Sequence, residues 1–313
     1  MKLSLSLCAS LISLGVIPSS VSLAQSGWFW QSPLPQGNRL SAVSALDSDT
    51  ITAVGDVGTI LRTTDGGATW TLQTSGTTTT LWGVSLVDAN TGTAVGGVGT
   101  ILRTTDGGAT WERQSSGTLS VLYGVSFVDA NTGTAVGGLG TILRTTDGGA
   151  TWTRQTSGIQ DASLRGVSFV DANTGTAVGE FGTILRTTDR GATWTPQSSG
   201  TTTTLYGVSF VDANTGTAVG DLGTILQTTD GGATWTLQSS GTTTTLYGVS
   251  FVAPTGTAVG GLGTILRTTD GGATWTPQSS GPPEHLTGVS FVDANTGTAV
   301  GHSGTILRTN TGG

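Results

Sequence analysis

Carboxylate and tyrosine side chains are the residues of this sequence best suited to catalysis. Paired carboxylates about 5–10 Å apart hydrolyse glycosides, and Asp56, Glu180 and Asp221 stand at equivalent positions of repeated segments. Of these, Glu180 and Asp221 belong to neighbouring segments, although nothing else in the sequence singles them out. A tyrosine nucleophile with a glutamate partner is a second arrangement. However, the three tyrosines share one repeat position, which indicates symmetric rather than catalytic use.

The two histidines, His285 and His302, are the candidate metal ligands. A metal site would need a further ligand such as Glu284 or Asp56, and two exposed loop histidines are the simpler interpretation. The sequence also lacks a nucleophile elbow and a phosphate loop with its lysine. We therefore predict no catalytic residues, no metal and no cofactor.

The first 24 residues have the features of a signal peptide. Lys2 precedes a mostly apolar stretch, and Ser22 and Ala24 stand where a signal peptidase prefers small residues. We predict cleavage before Gln25 and an exported, periplasmic or extracellular protein; an uncleaved anchor is the alternative. The segment contains the only cysteine, Cys8, and the only lysine, so the remainder has 11 arginines against 19 acidic residues. This negative balance argues against nucleic acid and anionic membranes as partners.

One repeat organises the rest of the chain. The segment from Gly58 to Trp70 recurs from Gly99, Gly140, Gly182, Gly223, Gly263 and, truncated, Gly304, at spacings of 40 to 42 residues. This period is typical of a four-stranded propeller blade. In the second unit we predict strands over residues 81–87, 93–95 and 100–104, followed by a fourth that carries Trp111. The expected fold of residues 25–313 is an all-β, single seven-bladed β-propeller; a straight solenoid is the alternative.

The two ends of the chain indicate a closed ring. The last unit stops at Gly313 without a fourth strand, while Trp28 and Gln31 have the spacing of Trp70 and Gln73 in a fourth strand. We therefore predict that residues 27–33 complete the last blade, which removes an exposed sheet edge.

Each of six units contains an Asp box, Ser/Thr-x-Asp-x-Gly-x-Thr-Trp. The aspartate accepts hydrogen bonds within a turn and the tryptophan fills space between blades, so we predict a structural role. Arg190 replaces the first glycine of one box while Gly191 is kept, so only the second glycine is demanded. The box residues are Asp65 and Trp70, Asp106 and Trp111, Asp147 and Trp152, Asp189 and Trp194, Asp230 and Trp235, and Asp270 and Trp275.

Together with the segment Val-Asp-Ala-Asn-Thr-Gly-Thr-Ala-Val-Gly at residues 87–96, this repeat resembles that of the photosystem II assembly and stability factor family. The resemblance covers residues 25–313. It implies a lumenal or periplasmic seven-bladed propeller that acts as a non-catalytic assembly chaperone for a membrane complex. The Asp box by itself is shared with sialidases, xyloglucanases and sortilin-like receptors.

The units differ just before the recurrent Gly-Val-Ser, on the face formed by the loops after strands two and four. Aromatic residues and arginine are enriched at binding hot spots, so we predict ligand or client binding there. Coverage of strand ends is the alternative role. The predicted binding residues are Trp82, Tyr123, Arg165, Tyr206 and Tyr247.

A second series places an arginine on the third strand and an aspartate in the first turn of most units. Gln227 replaces the arginine in the fifth unit, and Ala253-Pro254 replaces the aspartate turn in the sixth. We predict that each arginine pairs with the aspartate of the next blade, for example Arg62 with Asp88 and Arg308 with Asp47. An arginine patch open to an acidic client is the alternative.

Three functions follow from these observations. The first is a monomeric, protein-binding assembly factor whose client is a subunit of a membrane or envelope complex. The second is a carbohydrate or surface-polymer binder, and the third is a glycoside hydrolase of the sialidase type.

Overall fold

The computed structural model describes residues 27–31, 36–281 and 283–313. The predicted signal peptide, residues 1–24, and the predicted start at Gln25 lie outside the described residues. The described residues form seven antiparallel four-stranded sheets, in which adjacent strands alternate direction because tight Gly-, Asp- and Asn-containing turns join them. The predicted seven-bladed all-β propeller is confirmed.

The strands have nearly the same bounds in each blade. The first strands are β2 Leu40–Ala45, β6 Leu81–Leu86, β10 Leu122–Phe127, β14 Leu164–Phe169, β18 Leu205–Phe210, β22 Leu246–Val252 and β26 Leu286–Phe291. The second strands are β3 Thr50–Gly55, β7 Gly92–Gly96, β11 Gly133–Gly137, β15 Gly175–Gly179, β19 Gly216–Gly220, β23 Thr255–Gly260 and β27 Gly297–Gly301.

The third strands are β4 Ile60–Thr64, β8 Ile101–Thr104, β12 Ile142–Thr145, β16 Ile184–Thr187, β20 Ile225–Thr228, β24 Ile265–Thr268 and β28 Ile306–Thr309. The fourth strands are β5 Thr71–Gln73, β9 Glu112–Gln114, β13 Thr153–Gln155, β17 Thr195–Gln197, β21 Thr236–Gln238, β25 Thr276–Gln278 and, for the last blade, β1 Phe29–Trp30. Six 3-10 turns follow second strands: η1 Asp56–Gly58, η2 Gly97–Gly99, η3 Glu180–Gly182, η4 Asp221–Gly223, η5 Gly261–Gly263 and η6 His302–Gly304. None of the described helices is long and apolar enough to cross a membrane.

The core is divided among the blade interfaces. Each of seven buried clusters combines side chains of two neighbouring blades; Val54 and Ile60 of the first blade, for example, pack with Leu81 and Trp111 of the second. A lone blade would leave these side chains in water, so the hydrophobic effect favours the stacked ring.

Strand β1 closes the ring. Phe29 pairs with Arg308 and Trp30 with Leu307, and Trp28 packs edge-on against Phe291 at 5.7 Å between ring centroids. Asp-box tryptophans contact the phenylalanines of their own blades in the same way. The N-terminal segment therefore supplies both the strand and the tryptophan that the last repeat lacks.

The serine of Gly-Val-Ser, or of Ala42-Val43-Ser44 in the first blade, links the innermost strands around the whole ring. In each blade its hydroxyl accepts the backbone N–H of a first-strand residue in the next blade, at 3.0–3.2 Å. The last of these bonds joins Ser290 to the N–H of Ala45 and crosses the closure. This serine ring was not predicted from the sequence, where the serine reads as an ordinary strand residue.

The predicted arginine–aspartate pairs between blades are wrong. Arg62 does reach the first turn of the next blade, but its Nη2 donates to the carbonyl of Ala89 at 2.5 Å. The Asp88 carboxylate instead accepts the N–H groups of Asn90 and Thr91 in its own turn. Across the closure, Arg308 likewise donates to the carbonyl of Ser48.

The arginine patch open to a client is also wrong, because the six arginines of the third strands are only 5–9% exposed. Four of them lie over a phenylalanine ring of the next blade. The two departures from the series, Gln227 and the shortened turn at Ala253-Pro254, lie next to each other. Gln227 donates to the carbonyl of Gly271, and the N–H of Gly271 donates to the carbonyl of Pro254 in that turn.

Candidate functional site

The seven variable residues occupy a β-bulge that recurs in every first strand. Leu164 pairs with Gly179 and Gly166 with Val178, so Arg165 is an extra residue between them. The same shift occurs in the other six blades. A bulge bends the strand and redirects a side chain, and here it directs one residue per blade toward the central channel.

The glycine after the bulge keeps the innermost strands close together. A Cβ atom on Gly166 would lie 2.7 Å from the carbonyl oxygen of Tyr206 in the next blade, which is far inside van der Waals contact. The close approach of adjacent strands therefore favours glycine at this position, which six blades have, whereas the first blade has Ala42.

The bulge residues line a cavity of about 490 Å³ at one end of the channel, which we call the mouth. All five predicted binding residues lie together there. Ser41 and Thr287 complete the ring of bulge positions, and Arg39 and His302 add charged or titratable groups. The bulge residues of the mouth are Ser41, Trp82, Tyr123, Arg165, Tyr206, Tyr247 and Thr287.

One half of the mouth is a continuous stack of paired side chains. The guanidinium of Arg39 lies 4.7 Å from the centroid of Trp82, which meets Tyr123 edge-on at 5.8 Å. On the other side of Tyr123, Arg165 lies over the ring at 4.2 Å. Carboxylates end the stack: Asp56 binds Arg39 at 3.1 Å, and Glu180 binds Arg165 at 2.5 Å.

The other half of the mouth has no arginine among the described residues. Tyr206 and Tyr247 meet edge-on at 5.4 Å, and Asp221 accepts the hydroxyl of Thr245 at 3.0 Å. Burial raises the pKa of the Tyr206 phenol, and the negative charge of Asp221 raises it further. The two carboxylates that the sequence placed in neighbouring loops thus have different surroundings, because Glu180 is ion-paired and Asp221 is not.

His285 and His302 form a stacked pair beside the mouth, with ring centroids 5.0 Å apart and planes at 21°. Burial lowers the pKa of His302, and the neighbouring His285 lowers it further. Within the described residues, no group of three or more His, Cys, Asp or Glu side chains is arranged to hold a metal ion.

An apolar rim surrounds the mouth and was not predicted. In six blades the second residue after the end of the second strand has a large apolar side chain. These side chains are 52–69% exposed, and their backbone φ lies between 53° and 57°. Bulky residues rarely adopt positive φ, so the sequence did not indicate that these loops take this conformation or that their apolar side chains are exposed. The rim residues are Val57, Val98, Leu139, Phe181, Leu222 and Leu262.

The Asp boxes lie on the opposite face of the ring. Asp147 accepts the N–H and the hydroxyl of Thr151 and the hydroxyl of Thr145, at 2.6–2.9 Å. These bonds lower the pKa of Asp147 to about 2, the Thr151 hydroxyl contributing most. Four further Asp-box aspartates have pKa values lowered to about 2 by equivalent bonds, and that of Asp270 is lowered further.

The Asp-box tryptophans and glycines contact the preceding blade. Trp152 donates its indole N–H to the Gln114 side chain of the previous fourth strand at 3.1 Å. A Cβ atom on Gly191 would lie 2.1 Å from the side-chain oxygen of Gln155. Arg190 adopts φ +67° and instead binds Asn173 at the surface, which explains why the first glycine position accepts a side chain.

Comparison with known proteins places this architecture in a family. The model of the family described as photosynthesis system II assembly factor YCF48 matches residues 114–199 and 193–313. No curated protein matches the sequence. Among solved structures, YCF48 bound to a D1 peptide is 23% identical with a TM-score of 0.76, over 92% of this chain and 98% of that one. YCF48 from Cyanidioschyzon merolae is 22% identical with a TM-score of 0.75, over 91% and 99%.

A glycoside hydrolase shares only the fold. The GH74 enzyme of Niastella koreensis is 19% identical with a TM-score of 0.73, over 89% of this chain and 53% of the enzyme. The present chain therefore spans about half of that enzyme. Because the family model covers residues 114–313, more than half of the sequence, the chain belongs to the photosynthesis system II assembly factor YCF48 family.

Proposed function

We propose that this propeller is a non-catalytic assembly factor that binds a segment of a client protein at the mouth. The client belongs to a membrane or envelope complex, and the factor acts outside the cytoplasm as a monomer. Family membership supports a protein-binding role, and a structural neighbour, YCF48, has a structure bound to a D1 peptide.

The observation that carries the proposal is the combination of an aromatic, arginine-containing mouth with an exposed apolar rim. Tyrosine, tryptophan and arginine are the residues most enriched at the centres of protein interfaces. Exposed apolar patches mark surfaces that a partner covers, and bulky residues held at positive φ cluster at functional sites.

The mouth is less suited to carbohydrate. Sugars stack on open aromatic faces, but Arg39 and Arg165 already cover one face of Trp82 and of Tyr123. Hydrolysis is also disfavoured. A general acid needs a carboxyl group whose pKa is raised toward neutrality, whereas Glu180 and Asp56 are held as carboxylates in ion pairs with arginine. A glycan array and a fluorogenic glycoside provide the corresponding direct tests.

The proposal is tested with peptides selected from a random display library on the immobilised protein. We expect Trp82→Ala, Tyr123→Ala and Arg165→Ala each to weaken binding of the selected peptides by more than about 1 kcal/mol, or roughly fivefold, if these residues are hot spots. The melting temperature is expected to change little, because these side chains border the channel and lie outside the seven buried clusters of the core.

Arg190→Ala on the Asp-box face is the matched control and is expected to leave peptide binding unchanged. Binding that survives the three mouth substitutions and is lost in Arg190→Ala would show that the opposite face binds the client.

A further inference from the structure

Three blades carry a carboxylate at the same position of the mouth, just after the second strand. They are Asp56, Glu180 and Asp221. In the first and fourth blades the arrangement has three parts: the carboxylate, a guanidinium bound to it, and an aromatic ring of an adjacent blade against which the guanidinium stacks. The molecule thus shows twice how a cation is held at this place.

The fifth blade has the carboxylate and the rings but lacks the cation. Tyr206 occupies the bulge position that Arg165 occupies in the fourth blade. Asp221 accepts the Thr245 hydroxyl at 3.0 Å and lies beside the Tyr206 hydroxyl, whose pKa it raises. Within the described residues it forms no ion pair. Tyr247 of the sixth blade meets Tyr206 edge-on and occupies the bulge position of the following blade, as Trp82 does relative to the first blade.

From this comparison we propose that Asp221, Tyr206 and Tyr247 form a recognition site for a cationic side chain of the client, an arginine or a lysine. The inference rests on the proposed binding of a client segment at the mouth and names the chemistry that the segment presents there. The client supplies in trans the cation that Arg39 and Arg165 supply in cis.

The physical chemistry of the site favours a cation over other side chains. A carboxylate attracts a positive charge, and the π faces of tyrosines do so as well. Both effects are strengthened in a partly dehydrated cavity, where the effective dielectric constant is lower than that of water. A planar guanidinium also matches the ring-and-carboxylate arrangement better than an ammonium does, so we expect arginine to be preferred to lysine.

The surroundings of the site agree with this assignment. The nearest arginine of the mouth, Arg165, is already neutralised by Glu180, so it does not repel an incoming cation with a full charge. The remainder of the chain is acidic, which raises the association rate of a basic segment at low ionic strength.

The experiment uses peptides selected from the random display library on the wild-type protein, with sequencing and calorimetric titration. We expect an arginine or lysine to recur at one position, and its replacement by glutamine to weaken binding about tenfold, because an ion pair and a cation–π contact are lost together. Asp221→Asn is expected to produce the same loss and to abolish the difference between the arginine and glutamine peptides. Binding of the wild type should weaken as salt is added.

Tyr206→Arg provides a variant that tests the site without removing a charge from it. It should reproduce in the fifth blade the pair that Arg165 forms with Glu180, so the protein should remain folded while the arginine peptide is excluded. Tyr206→Phe is the matched control; it keeps the ring and is expected to bind within about threefold of the wild type.

The two proposals fail in different ways. Selected peptides that bind the mouth without a recurrent cation, or that bind Asp221→Asn as tightly as the wild type, would overturn the cation site and leave the client-binding function intact. A library that yields no peptide sensitive to Trp82→Ala or Arg165→Ala would overturn both.

Discussion

At the residue scale, the Asp-box aspartate shows how an exposed carboxylate organises a turn. Asp147 accepts bonds from both threonines of its box, and Thr145 in turn accepts the N–H of Gly149. These bonds favour the charged form of the carboxyl group and therefore lower its pKa. Because the same arrangement recurs in six blades, we expect acid to act on the stability of one face of the ring.

We predict that stability falls when the Asp-box carboxylates are protonated. The pKa of Asp147 in the folded protein, about 2, is lower than the ordinary value of 3.8. Its contribution is therefore fully present above pH 3.8 and is lost as the pH falls toward 2. The denaturant midpoint should stay nearly constant from neutral pH to about pH 5 and drop steeply below pH 4.

Asp147→Asn should lower the midpoint at neutral pH and make it fall less steeply in acid. Glu112→Gln, which removes an exposed carboxylate from the fourth strand β9, is the control and should leave the neutral-pH midpoint unchanged. Equal acid dependence of Asp147→Asn and the wild type would contradict this account.

Side-chain chemistry at this scale was only partly predictable. The sequence identified the variable residues of the mouth because they interrupt an otherwise faithful repeat. It did not reveal the bulge that directs them inward, because a one-residue shift depends on pairing between strands. It also misassigned Arg62, since the sequence shows that an arginine and an aspartate vary together but not that a turn carbonyl is the acceptor.

At the scale of secondary-structure elements, strand β1 holds the ring closed. It is only two residues long, yet it carries the Phe29–Arg308 and Trp30–Leu307 pairs and brings Trp28 into the interface between the last two blades. The indole of Trp30 also donates to the carbonyl of Ser280 in the sixth blade.

We predict that replacing Trp28, Phe29 and Trp30 together by serine lowers the free energy of unfolding by about 3–5 kcal/mol. This is the usual effect of removing one large buried aromatic side chain. Because the edge of β28 becomes unpaired, the variant should also form concentration-dependent oligomers. Thermal melting and light scattering measure the two effects.

Leu72→Ser is the control, since Leu72 is 63% exposed on the fourth strand β5 and its loss should change neither measurement. A triple variant that stays monomeric and as stable as the wild type would mean that β1 does not hold the ring together.

The strands themselves were well predicted, because the repeat separates apolar runs with glycine and aspartate at fixed intervals. Differences are confined to the ends of strands. Trp111 was expected within the fourth strand, but β9 begins one residue later, at Glu112, and the tryptophan belongs to the Asp-box turn. Packing of Trp111 against the preceding blade determines where β9 begins. The sequence of a single repeat does not show this contact between blades.

At the scale of the whole molecule, near-sevenfold backbone symmetry supports an asymmetric mouth. The serine ring and the blade interfaces repeat around the axis, whereas the arginine stack covers the blades from the first to the fourth and the tyrosine pair belongs to the fifth and sixth. A symmetric scaffold thus presents a surface with one orientation, as binding of a single directed segment requires.

We predict that the exported protein is a monomer whose chain begins near Gln25. Closure removes the two ends of the array as sites of association, and the outer strands that remain exposed are only three residues long, too short to template pairing with another molecule. Sequencing of the N-terminus after secretion, with light scattering of the purified protein, checks both statements. A chain that retains residues 1–24, or a stable dimer, would contradict them.

The pairing of β1 with β28 also fixes when this protein finishes folding. Gly27 donates its N–H to the hydroxyl of Thr311, 284 positions later in the chain. Strand β1 is therefore synthesised first but can pair only after β28 has been synthesised. Intermediate blades can stack on one another as they emerge, but the seventh is completed only when the whole chain is available. Closure is therefore a late event with a high loop-entropy cost, and any interruption of synthesis leaves a ring that cannot shut.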